Sequence, residues 1–543
     1  MVNQLIAPYG DTLVNLIDPE KRDALRQEAL SLPSLDLDWR QQCALEMLMN
    51  GAYSPLVGFM TRAQCERVEK TMALDDGTFW PVPISLVSRQ KSAADLKPGD
   101  RVALRDGEGF MLAVLTVSDV WQSEDCWHLG GAIEGAALPQ HPDFAGLRAT
   151  PAELRALFIR RGWRRVIAWQ ARQPMHRAQF EFCLKSAIEN EANLLLHPQV
   201  GGDITDAPGY FGLVRSFLAV LERFPAATTQ LSLMPAPPHE ASASALLLRA
   251  IVARNYGCGM LIAGGEHLPD GSCRRGEDLA QTHADATVAE HAEKIGVQLI
   301  AYPRMVYVED RAEHLPESGV PKGARVLTLS GEEFQRRMQA GLRIPEWYSF
   351  PELLAELHRQ SPPRDRQGFT VFFTGLSGAG KSTLARSLAA RLMEMGGRSV
   401  TLLDGDIVRR HLSSELGFSK AHRDINVRRI GFVASEITKN RGIAICAPIA
   451  PYRQTRRDVR AMIEAVGGFV EIHVATPIET CESRDRKGLY AKARAGLIPE
   501  FTGVSDPYEV PERPELAIDT TSLGIDEAVQ QVLLKLEHEG YLR

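Results

Sequence analysis

The feature that most constrains this chain is a glycine-rich loop with an apolar run before it and a helical pattern after it. Residues 375–382, GLSGAGKS, fit the spacing of a Gly, four residues, a second Gly, a Lys and a Ser or Thr. The run 369–373 is apolar and aromatic, which predicts a buried strand that ends at the first Gly. After the loop, apolar residues recur at helical spacing until a Gly-Gly pair, which predicts a helix with one buried stripe. The members of that stripe are Leu384, Leu388, Leu392 and Met395.

This order of strand, loop and helix predicts a phosphate-binding site. Glycines allow successive backbone N–H groups to surround phosphate oxygens, and the positive end of the following helix faces the same anion. Lys381 would contact the outer phosphates of ATP, and the Ser382 hydroxyl would bind Mg²⁺. A glycine-rich turn before an ordinary helix is the simpler alternative, but it leaves the strand unexplained. The predicted ATP-binding residues are Gly375, Ser377, Gly378, Ala379, Gly380, Lys381, Ser382 and Thr383.

Two carboxylates follow the next predicted strand, 399–403. At the carboxyl end of that strand, Asp404 and Asp406 suit a Mg²⁺ contact and a base for an attacking hydroxyl. A pair of helix-capping Asp residues is the alternative.

Basic and aromatic residues then accumulate, with Phe418 and Asn426 among the arginines of 409–429, and this mixture predicts a pocket for an anionic, base-bearing second substrate. A solvated helix surface would explain only part of that charge. The later segment 481–490 is dense in Arg and Lys, as a lid over a phosphoryl group would be, although a plain charged loop has the same composition.

Residues 368–543 resemble adenylylsulfate (APS) kinases throughout. The resemblance implies a phosphate-loop kinase domain with a parallel sheet. Such a domain transfers the γ-phosphoryl group of ATP to the ribose 3′-hydroxyl of APS, which gives 3′-phosphoadenylylsulfate (PAPS). The motifs that carry the resemblance are GLSGAGKST at 375–383, LLDGD at 402–406, LGFS at 416–419, RDINVRR at 423–429, RDRKGLY at 484–490, FTG at 501–503 and DPYE at 506–509.

The motif match also implies residue roles. Asp406 resembles the base, Asp404 a carboxylate on the metal side, and Phe501 a ring that stacks on adenine. Two positions depart from the family. Ile425 stands where an acidic residue is usual, and Ala450 stands where some members carry a phosphorylated Ser, so no phosphoserine can form there. The implied APS contacts are Arg409, Phe418, Arg423, Asn426, Lys487 and Phe501, and the implied catalytic residues of this domain are Lys381, Asp404, Asp406 and Lys487.

Length and composition predict a multidomain globular protein of the cytoplasm, and the alternation of predicted strands and helices places it in the α/β class. A chain of 543 residues with 44% hydrophobic and 24% charged residues suits several globular domains. A net charge of −6 argues against nucleic acid or an anionic membrane as the main partner. Eight scattered cysteines without a CxxC pair suit reduced thiols, and we see neither a secretory signal nor an apolar run long enough to cross a bilayer.

The chain before the phosphate loop reads as two further domains. Residues 1–145 are rich in turn signals between short apolar runs, which predicts a small β-rich domain. Residues 146–355 alternate strand and helix patterns, which predicts a parallel sheet with ligands beyond the carboxyl ends of its strands. A Pro-rich, charged stretch predicts a linker over 356–367, and residues 368–543 complete the chain. The predicted strands of the second domain are 166–169, 193–196, 230–233 and 259–263.

About residues 1–355 resemble ATP sulfurylases. The resemblance implies a PUA-like N-terminal domain, and a Rossmann-like nucleotidyltransferase domain with a small C-terminal subdomain. It also implies attack of sulfate on the α-phosphorus of ATP, which gives APS and pyrophosphate. Catalysis would need only orientation and charge stabilisation, with Arg172 and His176 as the catalytic pair. The motifs are 53–60, 80–83, 195–198, 254–257 and 344–351, and the implied nucleotide and sulfate contacts are Gln170, Arg172, His176, Gly264 and His267.

Departures from the sulfurylase pattern leave two hypotheses open. Gln173 replaces an Asn, Gln179 replaces a second His, and Gly265 stands where the family has an Arg. Each lost charge-assisted contact would cost on the order of 2.7–4 kcal/mol of transition-state stabilisation. The chain is therefore either a bifunctional enzyme or an APS kinase whose N-terminal domain is a degenerate assembly or regulatory module. Similar two-domain proteins suggest a homo-oligomer, either a dimer or a hexamer.

Overall fold

The computed structural model describes residues 5–201, 207–236, 242–264, 286–485 and 488–543; the side chains of 207, 208, 286, 287 and 406 also lie outside the description. The chain divides into two compact units. The first, here the N-terminal unit, comprises Met1–Gln335 and Ile344–Gln360, and the second, the C-terminal unit, comprises Arg336–Arg343 and Ser361–Arg543. Within the described ranges, no helix combines the length and the apolar character that a bilayer-crossing segment requires.

The N-terminal unit begins with a mostly antiparallel sheet in the strand order β1-β4-β5-β6-β2, with β3 paired to β6. Alternating apolar residues of its longest strand face a core that extends to helices of the following α/β region. The strands are β1 (Ser34–Asp36), β2 (Gly58–Phe59), β3 (Leu86–Ser88), β4 (Arg101–Arg105), β5 (Met111–Ser123) and β6 (Cys126–Gly135), and the helices are α1 (Arg22–Glu28), α2 (Trp39–Met49) and α3 (Arg62–Thr71).

A five-stranded parallel sheet follows in the order β10-β8-β7-β12-β13. Its first helix is defined locally, because the Thr150 hydroxyl accepts from the backbone of Glu153 while the Glu153 side chain accepts from Thr150. The strands of this region are β7 (Val166–Trp169), β8 (Asn193–Leu196), β9 (Gln199–Val200), β10 (Thr229–Leu231), β11 (Met234–Pro235), β12 (Met260–Ala263) and β13 (Gln298–Ala301), and the helices are α4 (Pro151–Arg160), α5 (Arg177–Glu189), α6 (Ala207–Leu221), α7 (Ala243–Asn255) and α8 (Ala286–Ile295).

A small antiparallel sheet in the order β15-β14-β16 comes next. Its strands are β14 (Met305–Val308), β15 (Glu313–Pro316) and β16 (Val326–Leu327), and the helices after it are α9 (Gly331–Ala340) and α10 (Pro351–Gln360). Helix α10 extends into the predicted linker 356–367, because Leu353 and Leu357 continue an apolar helical face past residue 355. The domain boundaries near 145, 355 and 368 stay predictions.

The C-terminal unit contains a second five-stranded parallel sheet, in the order β18-β19-β17-β20-β21, with helices packed on it. Its strands are β17 (Phe369–Thr374), β18 (Val400–Asp404), β19 (Ile443–Ala447), β20 (Gly468–Val474) and β21 (Leu516–Ile518), and its helices are α11 (Lys381–Met395), α12 (Gly405–Leu412), α13 (Lys420–Lys439), α14 (Arg453–Glu464), α15 (Ile478–Arg484), α16 (Leu489–Arg494) and α17 (Ile525–His538).

The predicted strand–loop–helix order around the phosphate loop matches these elements. All six residues of β17 are buried, and the predicted stripe of α11 is buried at Leu384, Leu388 and Leu392. The prediction that Met395 belongs to the buried stripe is wrong, because this residue is 52% exposed. It lies in the final turn of the helix, where the sheet no longer covers the stripe.

A buried asparagine joins separate segments of the N-terminal unit. The Oδ1 atom of Asn255 accepts from the backbone N–H of Tyr9 at 2.9 Å. Its Nδ2 donates to the carbonyl oxygens of Ala52 at 2.9 Å and Ser54 at 3.1 Å. The residue is fully buried at the end of α7, so the amide satisfies three backbone groups that water cannot reach.

We expect Asn255→Ala to destabilise the N-terminal unit by about 2–4 kcal/mol, because three buried backbone groups lose their partner. The measurement is the unfolding transition of this unit by differential scanning calorimetry of the full chain. Asn190→Ala is the matched control in the same unit, since the half-buried Asn190 donates to the Ser186 carbonyl at the end of helix α5. A downward shift no larger than that of the control would contradict the expectation.

Candidate active sites

Close packing forces glycine at two positions of the phosphate loop. Gly375 has φ +147°, and a Cβ there would lie 2.5 Å from the Val474 carbonyl oxygen. Gly378 has φ +77°, and a Cβ there would lie 2.9 Å from the Cys481 carbonyl oxygen. Both values are shorter than real carbon–oxygen contacts, so the spacing of the motif reflects packing as well as phosphate binding.

Neighbouring hydroxyl groups hold the middle of the same loop. The Ala379 carbonyl accepts from Thr476 Oγ1 at 3.1 Å and from Thr520 Oγ1 at 3.0 Å. The Tyr490 hydroxyl donates to the Ser377 carbonyl at 2.9 Å. Because these hydroxyl groups bind two carbonyl groups of the loop, the loop can present backbone N–H groups on its open side.

The lysine and the serine of the phosphate-loop motif, Lys381 and Ser382, begin helix α11 directly after Gly380. Lys381 is only 7% exposed, and its Nζ donates to the Leu376 carbonyl at 2.7 Å, so the cation lies over its own loop. Ser382 is half-buried and Thr383 is exposed. This places a positive charge and a hydroxyl beside the positive end of a fifteen-residue helix.

The first carboxylate of the predicted pair lies at the carboxyl edge of the sheet. Asp404 is the last residue of β18 and is 3% exposed. Arg386 Nη2 lies 3.8 Å from its Oδ2. Asp406 lies on the helix α12 that follows, and its side chain is outside the described residues. Its predicted role as base therefore stays a prediction.

The predicted APS pocket brings together most of its described members. The Arg409 guanidinium lies 4.4 Å from the Phe418 ring centroid and donates to the carbonyl groups of Leu416 and Gly417. The Phe418 residue is 65% exposed, which leaves its ring available for stacking. Asn426 is buried, and among the described residues its Oδ1 has no hydrogen-bond partner. Lys487 lies outside the described residues.

Phe501 and Arg423 complete this pocket. Tyr490 packs edge-on against the half-buried Phe501, with ring centroids 5.0 Å apart. Arg423 donates to Asp506 Oδ2 at 2.6 Å and to the Phe418 carbonyl at 2.7 Å. Asp506 begins the motif 506–509, but no site role was predicted for it, because its partner lies 83 residues away and only the fold brings the two together.

Ala450 holds an unusual backbone conformation beside the phosphate loop. Its φ of +47° is left-handed, which is uncommon for a residue with a Cβ. Its carbonyl accepts from Arg456 Nη1 at 2.7 Å and from Thr374 Oγ1 at 3.3 Å. These contacts fix the turn after β19, and the side chain at this position is a methyl group.

The predicted sulfurylase residues of the N-terminal unit lie where the parallel strands β7 and β12 end. Gln170 follows β7 and is fully buried; its Oε1 accepts from Arg249 Nε at 3.2 Å, and its carbonyl accepts from Arg249 Nη2 at 2.8 Å. Arg172 Nε donates to Gln199 Oε1 at 2.7 Å. Gly264, with φ +94°, follows β12. His267 and Gly265 lie outside the described residues.

His176 lies in an aromatic pocket at the start of helix α5. It contacts Phe334 and Tyr348, each with ring centroids 5.2 Å from its own, and its Nδ1 lies 3.0 Å from Ser349 Oγ. Burial lowers the pKa of His176 to about 4, so the ring is neutral at pH 7. Gln179, one helical turn further on, is 2% exposed. Neither Ser349 nor Arg249 was predicted as a site residue.

Three family models match successive parts of this chain. A PUA-like domain matches residues 6–151, ATP-sulfurylase matches 145–360, and Adenylylsulphate kinase matches 367–519. The sulfate adenylyltransferase of Aspergillus terreus (strain NIH 2624) is 40% identical over 98% of this chain and 99% of its own length. The chain belongs to the sulfate adenylyltransferase family. The Emericella nidulans protein of that name is also 40% identical, over 98% of this chain and 99% of its own.

A solved structure of a relative matches the whole chain. It is titled hexameric APS kinase from Thiobacillus denitrificans, is 76% identical, covers 99% of both chains and has a TM-score of 0.88. These findings confirm the predicted fold class: a PUA-like domain, an ATP-sulfurylase domain and a phosphate-loop kinase domain. They also confirm the family resemblances and the main hypothesis of a bifunctional enzyme, because both enzyme domains are present in one chain.

A second buried histidine supplies a pH test of the N-terminal unit. His197 follows β8, is fully buried, and packs edge-on against Tyr256 with ring centroids 4.4 Å apart. Among the described residues, neither of its ring nitrogens has a hydrogen-bond partner. Burial lowers the pKa of His197 to about 3. Like His176, it is neutral in the folded unit at every pH above about 5.

We expect the stability of the N-terminal unit to fall as the pH falls from about 6.5 towards 4. An unfolded histidine binds a proton below about pH 6.5, whereas these two folded histidines do not until about pH 4 or 3, so acid favours unfolding. Each contributes up to about 1.4 kcal/mol per pH unit in that window. The measurement is the unfolding temperature at pH 7 and pH 5. His197→Leu should reduce the difference, and His291→Leu, at a half-buried site of the same unit, should not. Equal differences in the two variants would contradict the expectation.

We expect Lys381→Ala to lower the kcat for ADP formation from ATP and APS by about a hundredfold to a thousandfold, since the loop loses its positive charge beside the phosphates. The unfolding temperature should change little, because Lys381 Nζ donates to the Leu376 carbonyl of its own loop. Lys439→Ala, at an exposed helix end, is the matched control. A kcat within a factor of three of wild type would show that Lys381 does not act on the transferred phosphoryl group.

Proposed function

We propose that the C-terminal unit transfers the γ-phosphoryl group of ATP to the 3′-hydroxyl of APS at the carboxyl edge of its sheet. The order of the strands carries this proposal. Strand β17 is central, and the phosphate loop follows it. Phe418 lies in the connection between β18 and β19, and Phe501 lies in the connection between β20 and β21. Both aromatic rings therefore come from connections that begin at the same edge as the phosphate loop.

The residues of the phosphate loop and of the predicted APS pocket each have a role in this phosphoryl transfer. Lys381 and the loop N–H groups bind the outer phosphates and stabilise the charge of the transferred group. Phe418 and Phe501 stack on the adenine of APS, and the buried, unpartnered Oδ1 of Asn426 accepts from a polar group of that substrate. Asp406 accepts the proton of the 3′-hydroxyl as that oxygen attacks, and Arg409 and Lys487 bind the anionic groups of APS.

Mg²⁺ with ATP fits the oxygen donors present. The buried Asp404 carboxylate and the Ser382 hydroxyl are the hard ligands that Mg²⁺ takes alongside phosphate and water. When bound, the ion neutralises charge on the phosphates of ATP.

We propose that the N-terminal unit orients ATP and sulfate with Gln170, Arg172, His176, Gly264 and His267, for attack at the α-phosphorus or for the reverse reaction. The buried Gln179, which carries no charge, stands where the family has a second His, and this substitution favours a lower rate. The presence of both enzyme domains favours a working sulfurylase over the alternative of a degenerate assembly or regulatory module.

The remaining predictions on partners and location also belong here. We propose that the chain forms a homo-oligomer, and a hexamer in preference to a dimer, since the solved relative that is 76% identical over the whole chain is described as hexameric. We also propose a cytoplasmic location and the substrates ATP, APS, sulfate and pyrophosphate, and the family membership supports the choice of substrates.

The test uses the full chain. Wild type should form ADP from ATP only when APS is present, and other small hydroxyl acceptors should not replace APS. An enzyme that forms no APS-dependent ADP would remove the kinase proposal.

Sulfate-dependent pyrophosphate release is then measured in the Lys381→Ala background, where the kinase cannot consume the APS. A rate near the kinase rate supports two full activities. A rate about ten-thousand-fold lower supports the module hypothesis, and Gln179→His with Gln173→Asn should then raise it.

A further inference from the structure

An ion pair lies behind the predicted APS pocket, where no role has been assigned to its acidic member. Arg423 of helix α13 and Asp506 are joined at 2.6 Å, with side chains 10% and 15% exposed. Burial of this degree is costly for both charges unless each remains partnered. The pair is thus a fixed part of the fold, unlike the exposed ion pairs on the outer surface of the same helix.

Arg423 reaches the backbone beside both aromatic rings. Its Nε donates to the carbonyl of Phe418 at 2.7 Å, and its Nη2 donates to the carbonyl of Glu500, the residue before Phe501. Its Nη1 donates to Thr502 Oγ1 at 2.8 Å. One guanidinium group therefore bridges two segments that are 83 residues apart in the chain and that carry the rings predicted to hold adenine.

Asp506 holds this arrangement from the opposite side. Its backbone closes the turn that presents Phe501, with N–H to the Phe501 carbonyl at 3.1 Å and its own carbonyl accepting from Gly503 N–H at 2.7 Å. Its Oδ2 accepts from Arg423 and also from the hydroxyl of Tyr452 at 2.7 Å. Tyr452 is 4% exposed, so removal of the carboxylate would leave a buried cation and a buried hydroxyl without their acceptor.

We propose that Asp506 is a positioning residue for the APS pocket. Acting through Arg423, it holds the segments of Phe418 and Phe501 at the separation that an adenine ring requires. This inference rests on the proposed kinase function and names the part of the fold that determines affinity for its second substrate. ATP binding should be affected less than APS binding, because within the described residues no hydrogen bond of the Asp506 or Arg423 side chain or of the Tyr452 hydroxyl reaches residues 375–383.

Steady-state kinetics of the full chain separates a positioning role from a general structural one. Asp506→Ala should raise KM for APS about tenfold or more, while KM for ATP stays within about twofold of wild type. Asp506→Asn, which keeps an acceptor but loses the charge, should give a smaller rise. Tyr452→Phe removes one donor to the carboxylate and should give the smallest. A defect of folding alone would instead lower the amount of active enzyme without separating the two KM values.

Asp458→Asn is the matched control, because Asp458 pairs with Arg428 of the same helix at 2.7 Å but on its exposed face. It should leave both KM values unchanged. If Asp506→Ala does not fold, the Asn and Phe variants carry the test. Unchanged KM for APS in folded variants would overturn the inference while leaving the kinase proposal intact.

Hydrogen–deuterium exchange gives a readout that does not depend on activity. Backbone amides of 416–420 and 500–506 should exchange faster in Asp506→Asn than in Asp458→Asn, without any substrate present. If wild type proved inactive with APS, the kinase proposal would fail, and faster exchange would still show that Asp506 joins the two segments. Equal exchange in the two variants would show that it does not.

Discussion

Contact between the phosphate loop and the strand beside it is the constraint on which the C-terminal unit depends. The backbone at Gly375 approaches the Val474 carbonyl so closely that a Cβ there would lie at 2.5 Å. That approach is possible only because β17 and β20 are adjacent parallel strands, paired from Phe369 with Gly468 to Thr374 with His473. The loop can therefore leave the sheet at one point, directly into the N-terminus of α11. All other parts of the site are placed relative to that point, because the remaining loops leave the same edge of the same sheet.

Local pattern was sufficient for the strands and the helix that form the phosphate-binding region and the core of the first parallel sheet. Strands β7, β8 and β17 and helix α11 follow from apolar periodicity and from glycine, because burial against one neighbour is the dominant local requirement. The pattern was wrong for Met395, whose exposure depends on where the sheet ends and not on the helix itself. It also could not show that α10 enters the predicted linker, since proline and charge near 361–367 resemble a linker whether or not a helix precedes them.

The candidate site residues also fall into those that a local pattern predicts and those that it does not. Lys381, Asp404 and Asn426 could be predicted because their chemistry stands within or beside recognisable motifs, and the structure places them at or near one sheet edge. Partners across long separations could not be predicted. Arg249 binds Gln170 from 79 residues away, and Ser349 meets His176 from 173 residues away. Such partners do not alter the local pattern of charge or hydropathy, so no single-sequence signal marks them. The predicted roles of Asp406, Lys487 and His267 stay predictions, since their side chains lie outside the described residues.

The turn at Ala450 has a consequence for the kinetic scheme of the C-terminal unit. Its carbonyl is held by Thr374 and Arg456, and its side chain offers no oxygen that could accept a phosphoryl group. At this turn the protein cannot store that group between two half-reactions. Direct transfer from ATP to APS would require donor and acceptor on the enzyme at the same time, and initial rates measured against one substrate at several levels of the other would then give intersecting and not parallel lines in a double-reciprocal plot.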